Sequence, residues 1–144
     1  MISVYSQKAN EMWCATAIEG EKIWTTAFAK TEKEAVKQVL DTLPYKAQFQ
    51  SEGKPSELAQ SIFDAMKSVL NCEDVSFDFQ FEKSRLPKYT QKVLGCLTQV
   101  PVGYVTTYKA LADSAGGGPR AVGGVMRSNP FSPLIPCHRV VKSD

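Results

Sequence analysis

The chain has 144 residues, 43% of them apolar and 22% charged, the balance of a globular protein with one domain or two small ones. No apolar run is long enough to cross a bilayer, and residues 1–10 lack the basic-then-apolar pattern of an export signal, so neither a membrane association nor a signal peptide is expected. Four scattered cysteines (Cys14, Cys72, Cys96, Cys137) with no C-x-x-C pair, and a single histidine, His138, exclude a His-rich metal site and argue against a zinc ribbon or a disulfide framework. No metal and no cofactor is expected, and the expected compartment is the cytoplasm, or the nucleus in a eukaryote. The net charge of +2 is unevenly spread: residues 1–82 hold 8 basic and 13 acidic side chains, net −5, and residues 83–144 hold 9 basic and 2 acidic, net +7. A basic half beside an acidic one reads either as a solvated face or as the footprint of a polyanion.

In chain order, residues 12–18 and 22–28 are rich in β-branched and aromatic side chains and flank a turn at Glu19-Gly20-Glu21, which predicts a hairpin. Thr31 with Glu34 three positions later forms a capping box, Val36, Val39, Leu40 and Leu43 continue at helical spacing, and Pro44 stops the helix. Pro55-Ser56 opens a second helix with Leu58, Ile62, Ala65, Met66 and Val69 on one face. Val75, Phe77, Phe79 and Phe81 alternate with polar residues, as in a strand or an extended connector with one buried face. Composition shifts near residues 82–86, so the expected domains are 1–82 and 83–144.

The second half predicts a helix carrying Val93, Leu94, Leu97 and Val100, broken by Pro101 and Gly103. Thr106 or Thr107 is placed to cap the next helix, with Tyr108, Leu111, Ala112 and Ala115 on its apolar face and Gly116-Gly117-Gly118 at its end. Pro119 suits the first turn of a third helix, which carries Val122, Val125 and Met126 and ends near Ser128-Asn129-Pro130. Helix, glycine turn, helix within a basic region is the pattern of a helix-turn-helix, although helix pairs joined by glycines are also common in cores. Gly123-Gly124 inside the third helix costs about 1 kcal/mol per glycine relative to alanine, which points to another backbone, such as that of a nucleic acid, passing close by.

Residues 135–141, Ile-Pro-Cys-His-Arg-Val-Val, resemble the PCHR(V) active-site signature of O6-alkylguanine-DNA alkyltransferases. Residues 120–130, RAVGGVMRSNP, resemble that family's RAVGGAMRxNP helix at the family's spacing. With Val105-Thr106-Thr107-Tyr108 included, the resemblance runs from about residue 88 to residue 141, and the first half resembles the family in size and element order alone. The resemblance implies an α+β protein. Its N-terminal domain is a small antiparallel sheet with helices, RNase H-like. Its C-terminal domain is all-α and winged-helix-like with a helix-turn-helix. It also implies direct-reversal repair, in which an alkyl group moves irreversibly from O6-alkylguanine (or O4-alkylthymine) in double-stranded DNA to Cys137. The protein is expected to be a monomer that turns over once.

The chemistry suits the residues. Displacement at an alkyl carbon calls for a soft nucleophile, and thiolate is the strongest a protein offers. On residue type alone Cys137 reads as a buried inert cysteine and His138 as a satisfied core histidine; the segment-wide resemblance reverses both. By that resemblance His138 activates Cys137 through a water, Asn129 is the hinge that ties the helix to the active-site turn, and Tyr108 contacts the flipped base. Arg120 is the finger that fills the space the extruded nucleotide leaves. Ala121, Gly123, Gly124, Arg127 and Thr107 meet DNA from the minor groove, and Met126, Val140 and Pro136 line the base pocket. On residue type alone, Arg120 is equally a phosphate contact, Tyr108 a core aromatic, Asn129 a helix cap and Met126 simple packing.

Family members continue beyond the position of Asp144 with a Gly-, Ser- and Tyr-rich loop and a helix bearing a glutamate that orients the histidine. The expectation is a truncated chain, with a fragment, an unseen tail or a second polypeptide as the alternatives. Without chemistry, the second half would read as a plain helix-turn-helix DNA-binding module. A thiol hydrolase is disfavoured, because its histidine comes from a distant segment and no second histidine exists.

Overall fold

The structure, a computed structural model, describes residues 1–44, 47–51, 53–73, 77–100, 104–132, 134–135 and 140–141. The chain divides into two compact units, one made of Met1–Glu82 with Pro130–Leu134 and the other of Lys83–Asn129 with Ile135–Asp144. Among the described residues the fold is mixed α+β, with a five-stranded sheet and five helices.

In the first unit β1 (Ile2–Ala9), β2 (Met12–Glu19) and β3 (Lys22–Ala29) form an antiparallel meander. Two tight turns make it possible: Asn10 at φ 59 between β1 and β2, and Gly20 at φ 61 between β2 and β3. Both residue types tolerate the left-handed region. A bulge at Trp24 shifts the register, so that Ala17 faces Thr25 while Ile18 faces Ile23. The sheet is not purely antiparallel as expected, because β4 (Phe49–Ser51) adds parallel to β1 and β5 (Gln80–Phe81) adds parallel to β3, giving the order β4-β1-β2-β3-β5.

The helix α1 (Glu32–Thr42) starts where Thr31 accepts a hydrogen bond from Glu34 N at 3.2 Å. It buries Ala35 and Val39 against Ile2, Val4, Ala15, Ala17, Ala27 and Ala29. Four alanines on the sheet face let the helix lie close, with Trp13, Trp24, Val36 and Leu40 closing the rim. The second helix, α2 (Glu57–Leu70), is capped by Ser56 at 3.2 Å from Ala59 N and packs against β1 and β2. Besides the expected Ile62, Ala65 and Met66 it buries Ala59 and Phe63, while Leu58 and Val69 are half-buried.

Of the phenylalanine alternation, only Phe81 joins a strand; Phe77 and Phe79 stack on each other at 5.0 Å and Val75 lies outside the described residues. β5 pairs with Lys22 and Ile23, and the same edge of β3 continues beyond them. Residues 130–132 cover it. Thr26 N donates to Pro130 O at 2.9 Å, the Thr25 hydroxyl to the same oxygen at 2.6 Å, and the Thr26 hydroxyl to Ser132 O at 2.9 Å. Phe131 is fully buried, its ring 4.8 Å from that of Phe81. An otherwise bare strand edge is thus closed by a loop.

In the second unit α3 (Lys88–Leu97), α4 (Tyr108–Ala115) and α5 (Pro119–Arg127) pack on one another through Val93, Leu94, Leu97, Leu111, Ala112, Ala115, Val122, Val125 and Met126. The expected all-α composition needs correction: β6 (Thr106–Thr107) and β7 (Val140–Val141) form a short parallel ladder, Thr106 opposite Val140 and Thr107 opposite Val141. All four residues are β-branched, the type that suits a pleated ladder, but two residues are too few to show a period of two.

Candidate functional site

The helix-turn-helix is built by local chemistry. Thr107, not Thr106, caps α4, its hydroxyl accepting from Ala110 N at 2.9 Å. The helix ends at Gly116, with φ 92, and Gly117, with φ 75, completes the reversal. The Tyr89 hydroxyl of α3 donates to Gly116 O at 2.8 Å and closes the underside of the turn. Gly118 stands at the N-cap of α5 and Pro119 occupies its first turn, where a missing N–H costs nothing.

Along α5 one face is buried by Val122, Val125 and Met126, while Arg120, Ala121 and Arg127 are exposed. Gly123 and Gly124 are half-buried. A Cβ on Gly123 would meet Tyr108 Cε1 at 4.0 Å, an ordinary contact, and one on Gly124 would meet no described atom within 4 Å. Neither glycine has a positive φ. Among the described residues, therefore, nothing in the protein calls for glycine at position 124. Tyr108, half-buried on the first turn of α4, lies beside Gly123 as its side chain crosses toward α5.

At the end of α5, Asn129 Nδ2 donates to Ile135 O at 2.6 Å. Val140 is buried and lies in the ladder with Thr106, the residue that immediately precedes the α4 cap. Pro136, Cys137 and His138 lie outside the described residues, as does residue 139. Their neighbours do not: the four-residue segment begins one residue after a carbonyl tied to Asn129 and ends at a strand paired to β6. Asn129 thus holds Ile135, and Thr106, next to the α4 cap, pairs with Val140.

The other three cysteines lie among the described residues. Cys14 is fully buried, and burial pushes its thiol up to about 11, with the charge of Lys67 pulling the other way. It is a protonated core side chain at neutral pH. Cys72 is exposed in a left-handed conformation (φ 58) and Cys96 is half-buried; both are free. No group of three or more His, Cys, Asp or Glu side chains placed to hold a metal occurs among the described residues. No described helix is long and apolar enough to cross a membrane.

Two groups of residues were not anticipated from sequence. Thr25 and Thr26, 105 and 106 residues from their partners Pro130 and Ser132 in the chain, look in sequence like ordinary strand residues. Tyr89 looks like a helix surface residue. Neither carries a signal of its long-range partner.

The family model described as 6-O-methylguanine DNA methyltransferase, DNA binding domain, matches residues 88–144. The methylated-DNA–protein-cysteine methyltransferase of Methanothermobacter thermautotrophicus is 32% identical over 97 residues, an alignment that takes in 67% of this chain and 55% of that relative. The corresponding protein of Thermococcus kodakarensis is 29% identical and aligns over the whole of this chain and 85% of its own length. The solved O6-methylguanine-DNA methyltransferase from Pyrococcus kodakaraensis superposes with a TM-score of 0.73 at 28% identity, covering 100% of this chain and 88% of that one. A Mycobacterium tuberculosis protein solved in complex with DNA shares the fold, with a TM-score of 0.73 at 20% identity over 98% of this chain and 79% of that one. The matched DNA-binding-domain model, the full-length alignment and the common fold point one way: this chain is similar to the methylated-DNA–protein-cysteine methyltransferases.

Proposed function

We propose that this chain repairs O6-alkylguanine in double-stranded DNA by accepting the alkyl group on Cys137, once per molecule. The observation that carries the reading is that Ile135 is held by Asn129 and Val140 pairs with Thr106, in the same unit as a helix that exposes Arg120 and Arg127. The relatives' name, methylated-DNA–protein-cysteine methyltransferase, and the M. tuberculosis relative's complex with DNA support it.

In the reaction the Cys137 thiolate attacks the alkyl carbon. The carbon–O6 bond breaks with its electron pair going to the guanine, which takes up one proton, and a thioether is left on the protein. Nothing in the mechanism returns a thioether to a thiol, so turnover stops at one. His138, through a water, takes the thiol proton; Asn129 holds the segment; Tyr108 stands beside the base and supplies the proton to the guanine. Stacked bases hide O6, so the nucleotide is extruded through the minor groove, with Arg120 filling the gap and Met126, Val140 and Pro136 lining the pocket. Thr107, Ala121, Gly123, Gly124 and Arg127 meet the backbone and groove. O4-alkylthymine, whose oxygen is chemically equivalent, is a second substrate.

In this reading residues 1–82 form an RNase H-like domain and residues 83–144 a winged-helix-like DNA-binding and catalytic domain, with the β6–β7 ladder beside the helix-turn-helix in the place of a wing. The protein acts as a monomer in the cytoplasm, or in the nucleus of a eukaryote.

The test is intact mass after incubation with a duplex containing O6-methylguanine. A gain of one methyl on the Cys137 peptide, absent in Cys137→Ser, is the expected result. A folded, lesion-binding protein that gains no methyl would reduce the reading to a DNA-binding module, and methylation at another residue would move the site.

A further inference from the structure

We infer that Tyr89 is a positioning residue for duplex recognition: by bracing the glycine turn between α4 and α5, it sets the end of α5 that carries Arg120. The inference rests on the reading of α5 as the helix that meets DNA, and every residue it uses lies in the second unit.

Three consecutive glycines, Gly116-Gly117-Gly118, join the two helices. Gly116 and Gly117 stand at φ 92 and φ 75, and glycine reaches either sign of φ at little steric cost. A turn of this composition does not by its own chain fix the angle at which the next helix leaves. Gly118, at the N-cap, has no side chain with which to cap α5. The buried residues of α5, Val122, Val125 and Met126, begin two positions after Arg120, so packing holds the middle and the end of the helix. Arg120 and Ala121 are exposed. Tyr89, in the first turn of α3, reaches the turn from a third element. Its hydroxyl donates to Gly116 O at 2.8 Å, and a Cβ on Gly117 would stand 2.9 Å from that hydroxyl and 3.2 Å from the ring carbon that bears it. The helix α3 is itself seated by Val93, Leu94 and Leu97, all buried, and packs on both α4 and α5. The brace therefore ties a freely rotating backbone to a helix anchored in the core of the same unit.

Binding a duplex orders whatever part of the protein meets it, and a turn already held has less freedom to lose at that moment. One hydrogen bond of this kind changes an equilibrium constant by roughly 2- to 10-fold, which sets the size of the effect. Tyr89→Phe isolates it, because the ring stays beside Gly117 and the hydroxyl alone is removed.

The experiment measures the Kd for a duplex containing O6-methylguanine in the full chain, Tyr89→Phe, Arg120→Ala and the double variant, each well below its melting point. Amide exchange is followed at residues 116, 121 and 122, whose N–H groups donate to Ala112 O and Gly118 O. The expected result is roughly 2- to 10-fold weaker binding in Tyr89→Phe and faster exchange at the three amides. Added to Arg120→Ala, the same change should cost little more, because the brace acts through the end of the helix that bears the arginine. A merely structural loss lowers the folded fraction and weakens both backgrounds alike. An unchanged Kd in folded Tyr89→Phe overturns the inference, as does an equal loss with and without Arg120. A parent protein that binds no duplex removes instead the reading of α5 as the helix that meets DNA. Methyl transfer in the same samples reports on Cys137 separately: a parent that binds but transfers nothing removes the acceptor, and the brace then stands or falls on Kd.

Discussion

Gly117 meets two separate demands, and each excludes a different set of side chains. Its φ of 75 lies in the left-handed region, where any L residue other than Asn or Asp is strained. A Cβ there would also stand 2.9 Å from the Tyr89 hydroxyl, which is committed to Gly116 O at 2.8 Å. Gly117→Ala is therefore expected to destabilise the fold by about 1–3 kcal/mol, the usual cost of such a strained backbone. Tyr89→Phe in the same chain removes the oxygen that the new methyl strikes. The double variant should thus lose less than the sum of the two single losses, a coupling that a thermal or denaturant melt of the four proteins reads directly. Strict additivity would mean that the backbone alone imposes glycine. Asn129 shows the same economy at lower strain: its side chain spans six residues to Ile135 O and needs no regular structure between them.

Among the elements, those with local punctuation were legible in sequence. Thr31, Ser56 and Thr107 each cap the helix expected of them, and Pro119 stands at the start of α5. The hairpin at Gly20 followed from its β-branched flanks. β1 was missed because only Ile2 and Val4 alternate before the polar run Ser6-Gln7-Lys8, and β4 to β7 are two or three residues long, a length at which the partner decides and not the pattern. The loop that closes the edge of β3 was hidden for a related reason: Pro130 reads as a helix terminator, and its bonds to Thr25 and Thr26 cross most of the chain. Asn129 was read as a hinge from the resemblance, whereas Thr106 was offered only as a helix cap and its ladder with Val140 carries no sequence signal. Gly124 sits inside α5 with no positive φ and no described atom within 4 Å of a Cβ. Gly124→Ala should stabilise the protein by about 0.4–1 kcal/mol through the lower entropy of its unfolded chain, measured by denaturant midpoint. The same variant should bind duplex DNA more weakly if a nucleic-acid backbone comes close to that face. Stabilisation with unchanged DNA affinity would take Gly124 out of the interface.

At the scale of the whole molecule the charge division becomes a statement about where a duplex is held. Residues 83–144 carry 9 basic side chains against 2 acidic, and residues 1–82 carry 8 against 13. Lys88, Lys92, Lys109, Arg120 and Arg127 are all exposed, so the second unit has the cations to displace counterions from DNA, whereas the first repels it on balance. Each phosphate neutralised by a side chain contributes about −0.9 to the slope of log K against log salt. Arg127→Ala should therefore flatten that slope by about 0.9, weakening binding to damaged and undamaged duplexes by the same factor because a phosphate contact reads no sequence. Lys37→Ala removes a cation from the first unit, one paired with Asp41 at 3.2 Å, and should leave the slope unaltered. Titrations of the parent and both variants from about 50 to 200 mM salt, the range over which such slopes are resolved, decide the matter. A slope that falls equally in both variants would spread the duplex over the two units. A slope that falls only in Arg127→Ala confines the electrostatic hold to the helix-turn-helix, the unit that also carries the two anchors of the Cys137 segment.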